Sequence, residues 1–103
     1  MKIKVSRDQL VKALKDVEGI EVTLENAEDA KEALDLILKK SQLFKGAEGK
    51  QLKDIIVTAS REYTTSAVEY NLIFTLEFVF AGGVFTDAKI ALIKEVQAFF
   101  AKY

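Results

Sequence analysis

Residues 66–80 alternate more regularly than any other part of the chain. Val68, Tyr70, Leu72, Phe74, Leu76, Phe78 and Phe80 take every second position, with Glu69, Asn71, Ile73, Thr75, Glu77 and Val79 between them. Successive side chains of a strand point to opposite faces, so this spacing predicts one long strand with an apolar, aromatic face. The same period appears in shorter form at Ile3 and Val5, flanked by Lys2 and Lys4, and at Ile20, Val22 and Leu24, separated by Glu21 and Thr23. A β-branched run predicts a further strand over residues 55–60. It competes there with a helical stripe through Leu52, Ile55, Ile56, Ala59 and Tyr63.

Helical spacing fills the intervals. Ser6 followed by Gln9 forms a capping box, Leu10, Ala13, Leu14 and Val17 share one face, and Gly19 is placed to end the helix. Asn26 caps a second helix with Glu28 and Asp29 in its first turn and Lys39 and Lys40 at its end, which suits the helix dipole. Ala30, Ala33, Leu34, Ile37, Ser41 and Phe44 make its inward stripe. A polar loop with Gly46 and Gly49 follows over residues 45–50. After Gly82-Gly83, Thr86 and Asp87 begin a last helix, whose Ile90, Leu92, Ile93, Val96, Phe99, Phe100 and Tyr103 are expected to cover the aromatic strand face.

The predicted order is β-α-β-α-β-β-α, a mixed four-stranded sheet with three helices in a single α+β domain over residues 1–103. Its first unit is read as a right-handed parallel crossover. This order is similar to that of thioredoxin-like folds. The Cys and cis-Pro of a thioredoxin-like redox site are absent, so no site residue transfers. Met1, Lys2, Val5, Arg7, Leu10 and Leu14 look like the opening of bacterial DNA sliding clamps, over about a sixth of the chain, but any strand followed by an amphipathic helix produces that spacing. Neither likeness identifies a family.

The long strand poses a problem of length. Fifteen residues at about 3.3 Å span roughly 50 Å, against a diameter near 33 Å for a compact domain of this size. A bend near Asn71, an unrecognised hairpin turn, or projection towards a second chain would each resolve it.

Composition narrows the chemistry. The 103 residues include no Cys, His, Pro or Trp, which removes disulfides, thiolate nucleophiles, imidazole metal sites and histidine-based triads. Half the residues are apolar and 30% charged, as in a soluble globular domain. No apolar run approaches the roughly 18 residues of a spanning helix, and no signal region is apparent at the N-terminus, so a cytoplasmic location is expected. The absence of Pro also leaves the connection after Arg61 without a standard turn signature.

Formal charges nearly cancel, 15 basic against 16 acidic, yet they are segregated. The charged residues of 16–35 are acidic apart from Lys31, and Lys39, Lys40, Lys45, Lys50 and Lys53 follow with Glu48. We read both runs as solvated surface and do not expect nucleic acid as a partner. Residues 60–66 are dense in hydroxyls beside a guanidinium, which makes Arg61, Tyr63 and Thr65 the candidate ligand-binding residues for an anion. Asp87-Ala88-Lys89 has the D-x-K form of some nucleases but reads as a helix start.

The function expected is a small protein-binding or assembly module without catalytic residues, forming a homo-oligomer or binding another protein through Ile73, Thr75, Glu77 and Val79. The alternative is a binding protein for a small anionic or apolar molecule, or a minor enzyme. Its pocket would lie between the last helix and the aromatic sheet face, with Arg61, Tyr63 and Thr65 at the mouth. No cofactor, metal or membrane is expected in either case.

Overall fold

Ser6 closes the first strand and caps the first helix. Its backbone is extended, its Oγ accepts the Gln9 N–H at 3.2 Å, and Gln9 Oε1 accepts the Ser6 N–H at 2.9 Å. Two donors that the helix start leaves free are thereby satisfied. The computed structural model describes residues 2–41, 43–46, 50–63, 65, 69–82, 84 and 86–103. Expectations placed on Met1, Ala47, Glu48, Gly49, Thr64, Ser66, Val68, Gly83 and Phe85 lie outside the described residues. The described elements are β1 (Lys2–Ser6), α1 (Arg7–Glu18), α2 (Ala27–Lys40), β2 (Leu52–Tyr63), β3 (Tyr70–Phe80) and α3 (Asp87–Ala101).

Helix ends follow the expected chemistry. Asn26 Oδ1 accepts the Asp29 N–H at 2.8 Å, and Thr86 Oγ1 accepts the Lys89 N–H at 3.3 Å. Gly19 ends α1 at φ +70°, its N–H donating to the Lys15 carbonyl at 2.8 Å. A Cβ at Gly19 would meet nothing within 4 Å, so the cost of a side chain there is conformational and not steric. Gly19→Ala is therefore expected to destabilise by about 1–2 kcal/mol, read from the urea unfolding midpoint with an unchanged slope.

Among the described residues the sheet has three antiparallel strands in the order β1-β3-β2, not four in a mixed arrangement. The missing strand is the one predicted at Ile20, Val22 and Leu24. That segment is not a strand, and among the described residues there is no parallel crossover. Its alternation is real, with Leu24 buried, Val22 packed against the core and Ile20 42% exposed. The inward side chains meet helices instead of a sheet: Val22 and Leu24 lie with Leu14 of α1 and Ala33 of α2 around one small cleft. An extended linker between two packed helices buries every second residue as a strand does, without a ladder. With that strand gone, the likeness in element order to thioredoxin-like folds goes too.

β3 resolves the length problem by a route the sequence did not suggest. It starts at Tyr70, and its 11 residues run about 36 Å within a molecule 44 Å long. It pairs with β2 from Tyr63↔Tyr70 to Leu52↔Phe80 and with β1 from Ser6↔Ile73 to Lys2↔Glu77. The domain is elongated along its central strand. The helical reading of residues 52–63 fails because Ile56 and Tyr63 are 48% and 60% exposed, whereas one inward stripe would have buried both.

All the even-numbered side chains from Leu72 to Phe80 are buried, together with Ile3, Val5 and Ile55. The helices occupy this side of the sheet. α1 packs on β1 and β3, α2 on α1 and β2, and α3 on β1 and α1. The last helix thus sits towards the β1 edge, and α1 takes the central position over the aromatic face that was expected of it. Gln9 joins the two regions: its Nε2 donates to the Phe100 carbonyl at 3.2 Å, across 91 residues of sequence.

Candidate functional site

The hairpin of β2 and β3 outruns its helical cover. From Thr58 to Tyr63 every residue of β2 is exposed, whichever face of the sheet it occupies. At this free end Tyr63 and Tyr70 are directly opposed in register, with ring centroids 5.8 Å apart, and the Arg61 guanidinium lies 4.9 Å from the Tyr70 ring centre. The Tyr63 hydroxyl, and then the charges that Tyr70 and Tyr63 can carry, hold the Arg61 pKa above its ordinary value. A stacked cation of this kind is a surface contact across the two strands.

Of the candidate ligand-binding residues, the structure brings Arg61 and Tyr63 together and places Thr65 exposed in the following turn. They stand on β2, whereas α3 packs at β1, the opposite edge of the sheet. Tyr70, which completes the cluster, was assigned to the core by its place in the alternation. The even-numbered face beyond it is filled by Leu72, Phe74, Leu76, Phe78 and Phe80, all buried.

Two clefts flank β2. One of about 460 Å³ is lined by Ala27, Glu28, Lys31, Glu32, Ile55 and Val57, and a neighbouring one of about 220 Å³ shares Lys31 and Ile55 and adds Phe44 and Leu52. Lys31 Nζ lies 2.7 Å from Asp35 and 3.6 Å from Asp54, so the cation in this groove is held between a helix and a strand carboxylate. The segregated charges of the sequence are likewise tied to one another: Lys15 pairs with Glu21, and Lys40 with Glu18 at 3.2 Å. Among the described residues no group of three or more acidic side chains is arranged to hold a metal ion.

The other face of the sheet carries no helix among the described elements. Ile73, Thr75, Glu77 and Val79 are half-buried there, between Lys2 and Lys4 of β1 and the exposed Ile56 and Thr58 of β2. Lys2 and Glu77, opposed in register, approach to 3.7 Å. The interface candidates are thus one strip along the middle of an open sheet face.

Two side chains acquire roles that the sequence concealed. Asp87 does start α3, as its spacing predicted, but Lys89 is 4% exposed and reaches back to the preceding connection. Its Nζ donates to the Ala81 and Val84 carbonyls at 3.2 and 2.9 Å. Tyr103 donates its hydroxyl to Asp16 Oδ2 at 2.6 Å, and that bond raises its pKa, with burial and the Asp16 charge acting in the same direction. A raised folded pKa stabilises below the ordinary value of about 10 and is lost as pH climbs through the folded value. Tyr103→Phe is expected to remove a late-titrating phenol from the alkaline absorbance curve, with little change in stability at pH 7 because the pair is exposed.

Comparisons with protein families, curated proteins and solved structures return no match for this chain. Among the described residues no helix is long and apolar enough to cross a membrane.

Proposed function

We propose that this chain is a non-catalytic protein-binding and assembly module that associates with copies of itself through the part of its sheet that no described helix covers, its open face or its free edge. The observation that carries this reading is the sheet's asymmetry. One face is packed under the three described helices, while the other presents the strip of Ile73, Thr75, Glu77 and Val79 beside an Ile56 that is 48% exposed. An uncovered sheet face and a long free edge are the usual ways in which a sheet recruits another chain. Close filling of the even-numbered face supports a module over a ligand pocket at that place.

Sedimentation equilibrium from low to high micromolar concentration tests it. A mass that rises from monomer towards dimer with concentration is expected, and a monomer throughout that range would overturn the reading. Only weak dependence on salt is expected between 0.05 and 0.5 M, which is about the range over which the screening length falls below 5 Å, because the open strip is mostly uncharged.

A further inference from the structure

The location of the seam between copies rests on the self-association reading, and the backbone of β2 supplies it. β3 is the central strand, so β2 is paired on one side only over 12 residues. Two hydrogen bonds fix which of its amides face outward. The Ala81 N–H donates to the Gln51 carbonyl at 2.7 Å, one step beyond the Leu52↔Phe80 pair, so odd-numbered positions of β3 exchange hydrogen bonds with β2. Their partners are Asp54, Ile56, Thr58, Ser60 and Glu62. The alternate residues Ile55, Val57, Ala59, Arg61 and Tyr63 therefore turn their N–H and C=O groups to the free edge. The Ile55 N–H agrees with this phase: it donates to Asp54 Oδ1 at 2.8 Å.

Asp54 thus caps the edge at one end. Beyond it, no described strand pairs with the outward amides of Val57, Ala59, Arg61 and Tyr63. Edges are normally protected by charges, Pro or a covering element. Residues 55–60 hold neither charge nor Pro, the charges of Arg61 and Glu62 come only at the end of the strand, and the exposure of Thr58–Tyr63 on both faces leaves no described helix in the way of a strand approaching there.

We propose that two copies pair antiparallel along this edge, about a two-fold axis at Ser60, and join their three-stranded sheets into one of six strands. A two-fold pairing sets like faces side by side, so opposed residue numbers sum to an even value. An axis at Thr58 would oppose Asp54 to Glu62, and one at Arg61 would oppose two guanidinium groups. Axes at Val57 or Ala59 would require the Ile55 N–H that Asp54 already holds. The axis at Ser60 opposes Val57 to Tyr63, Thr58 to Glu62 and Ala59 to Arg61. It uses every open outward amide and sets no like charges opposite one another. A second copy is the occupant because the edge is self-complementary at this register: each open outward amide meets an outward carbonyl of the copy, and no like charges are opposed.

The chain has no native Cys, so a single introduced thiol reports the seam directly. Ser60 would form a non-hydrogen-bonded pair with its copy, where Cα atoms about 4.5 Å apart suit a disulfide. Under mild oxidation Ser60→Cys is expected to run as a covalent dimer on a non-reducing gel. Thr58→Cys and Glu62→Cys are expected to cross-link when mixed and far less when alone. Ala59→Pro deletes an outward donor while sparing the β2–β3 ladder, and should weaken association at least tenfold in sedimentation. If the native chain dimerises but Ser60→Cys does not cross-link, the seam is overturned and self-association stands; loss of dimer in Ile73→Glu would then place the contact on the open face. A native chain that stays monomeric overturns both.

Discussion

Phe74→Ala is expected to lower the unfolding free energy by about 3–5 kcal/mol, which is a third or more of what many domains of this size possess. Phe74 is fully buried at the middle of the central strand, opposed to Val5 on β1 and to Ala59 on β2. The ring has a bulky neighbour on one side and only a methyl group on the other, with α1 packed above. Strands on both sides are held by backbone ladders, so the surroundings cannot close over the lost volume, and the cavity term adds to the lost transfer energy. Urea unfolding followed by far-ultraviolet circular dichroism measures the shift. Thr75→Ala, on the open face one residue along, is the control and should stay within about 1 kcal/mol.

Lys89→Met is the second large effect, expected at about 2–4 kcal/mol. Deleting the ammonium leaves the Ala81 and Val84 carbonyls without their donor and removes a cation 5.4 Å from the Phe80 ring centre. A hydrogen bond from a charged group contributes more than a neutral one, and an orphaned carbonyl retains the cost of its desolvation. Met keeps most of the apolar stem, so the loss reports on the polar contacts. Hydrogen exchange should accelerate at the first turn of α3, where the Thr86 cap and the Lys89 anchor act together. Lys94→Met, exposed on the same helix, should change stability by no more than about 0.5 kcal/mol.

These two residues also mark how far the sequence was legible. The burial of Phe74 and its even-numbered neighbours followed from alternation alone, and the caps at Ser6, Asn26 and Thr86 followed from residue type and spacing. Local chemistry determines both, and local chemistry is what a sequence displays. Residues 20–25 misled for the same reason: alternation reports that every second side chain is buried, not what buries it. Only the packing of α1 against α2 turns that segment into a linker. Lys89 was hidden because a lysine in a first helical turn is ordinarily solvated, and its acceptors are carbonyls, which no residue type announces. Of the candidate site, Arg61 and Tyr63 do meet, since alternate residues of one strand share a face. Their partner Tyr70 comes from across the hairpin, in a register that the sequence does not encode locally.

The bond from Gln9 to the Phe100 carbonyl has a bearing on how the chain is made. A ribosome releases β1 and α1 long before the strand that flanks β1, and longer still before the residue to which Gln9 donates. Neither edge of the sheet can form a ladder until residues 70–80 have left the exit tunnel, because β3 is the partner of both. The N-terminal half therefore contains no strand with which β1 pairs in the folded sheet. The sheet thus rests on pairings far apart in sequence, a topology that folds more slowly than one built from local contacts.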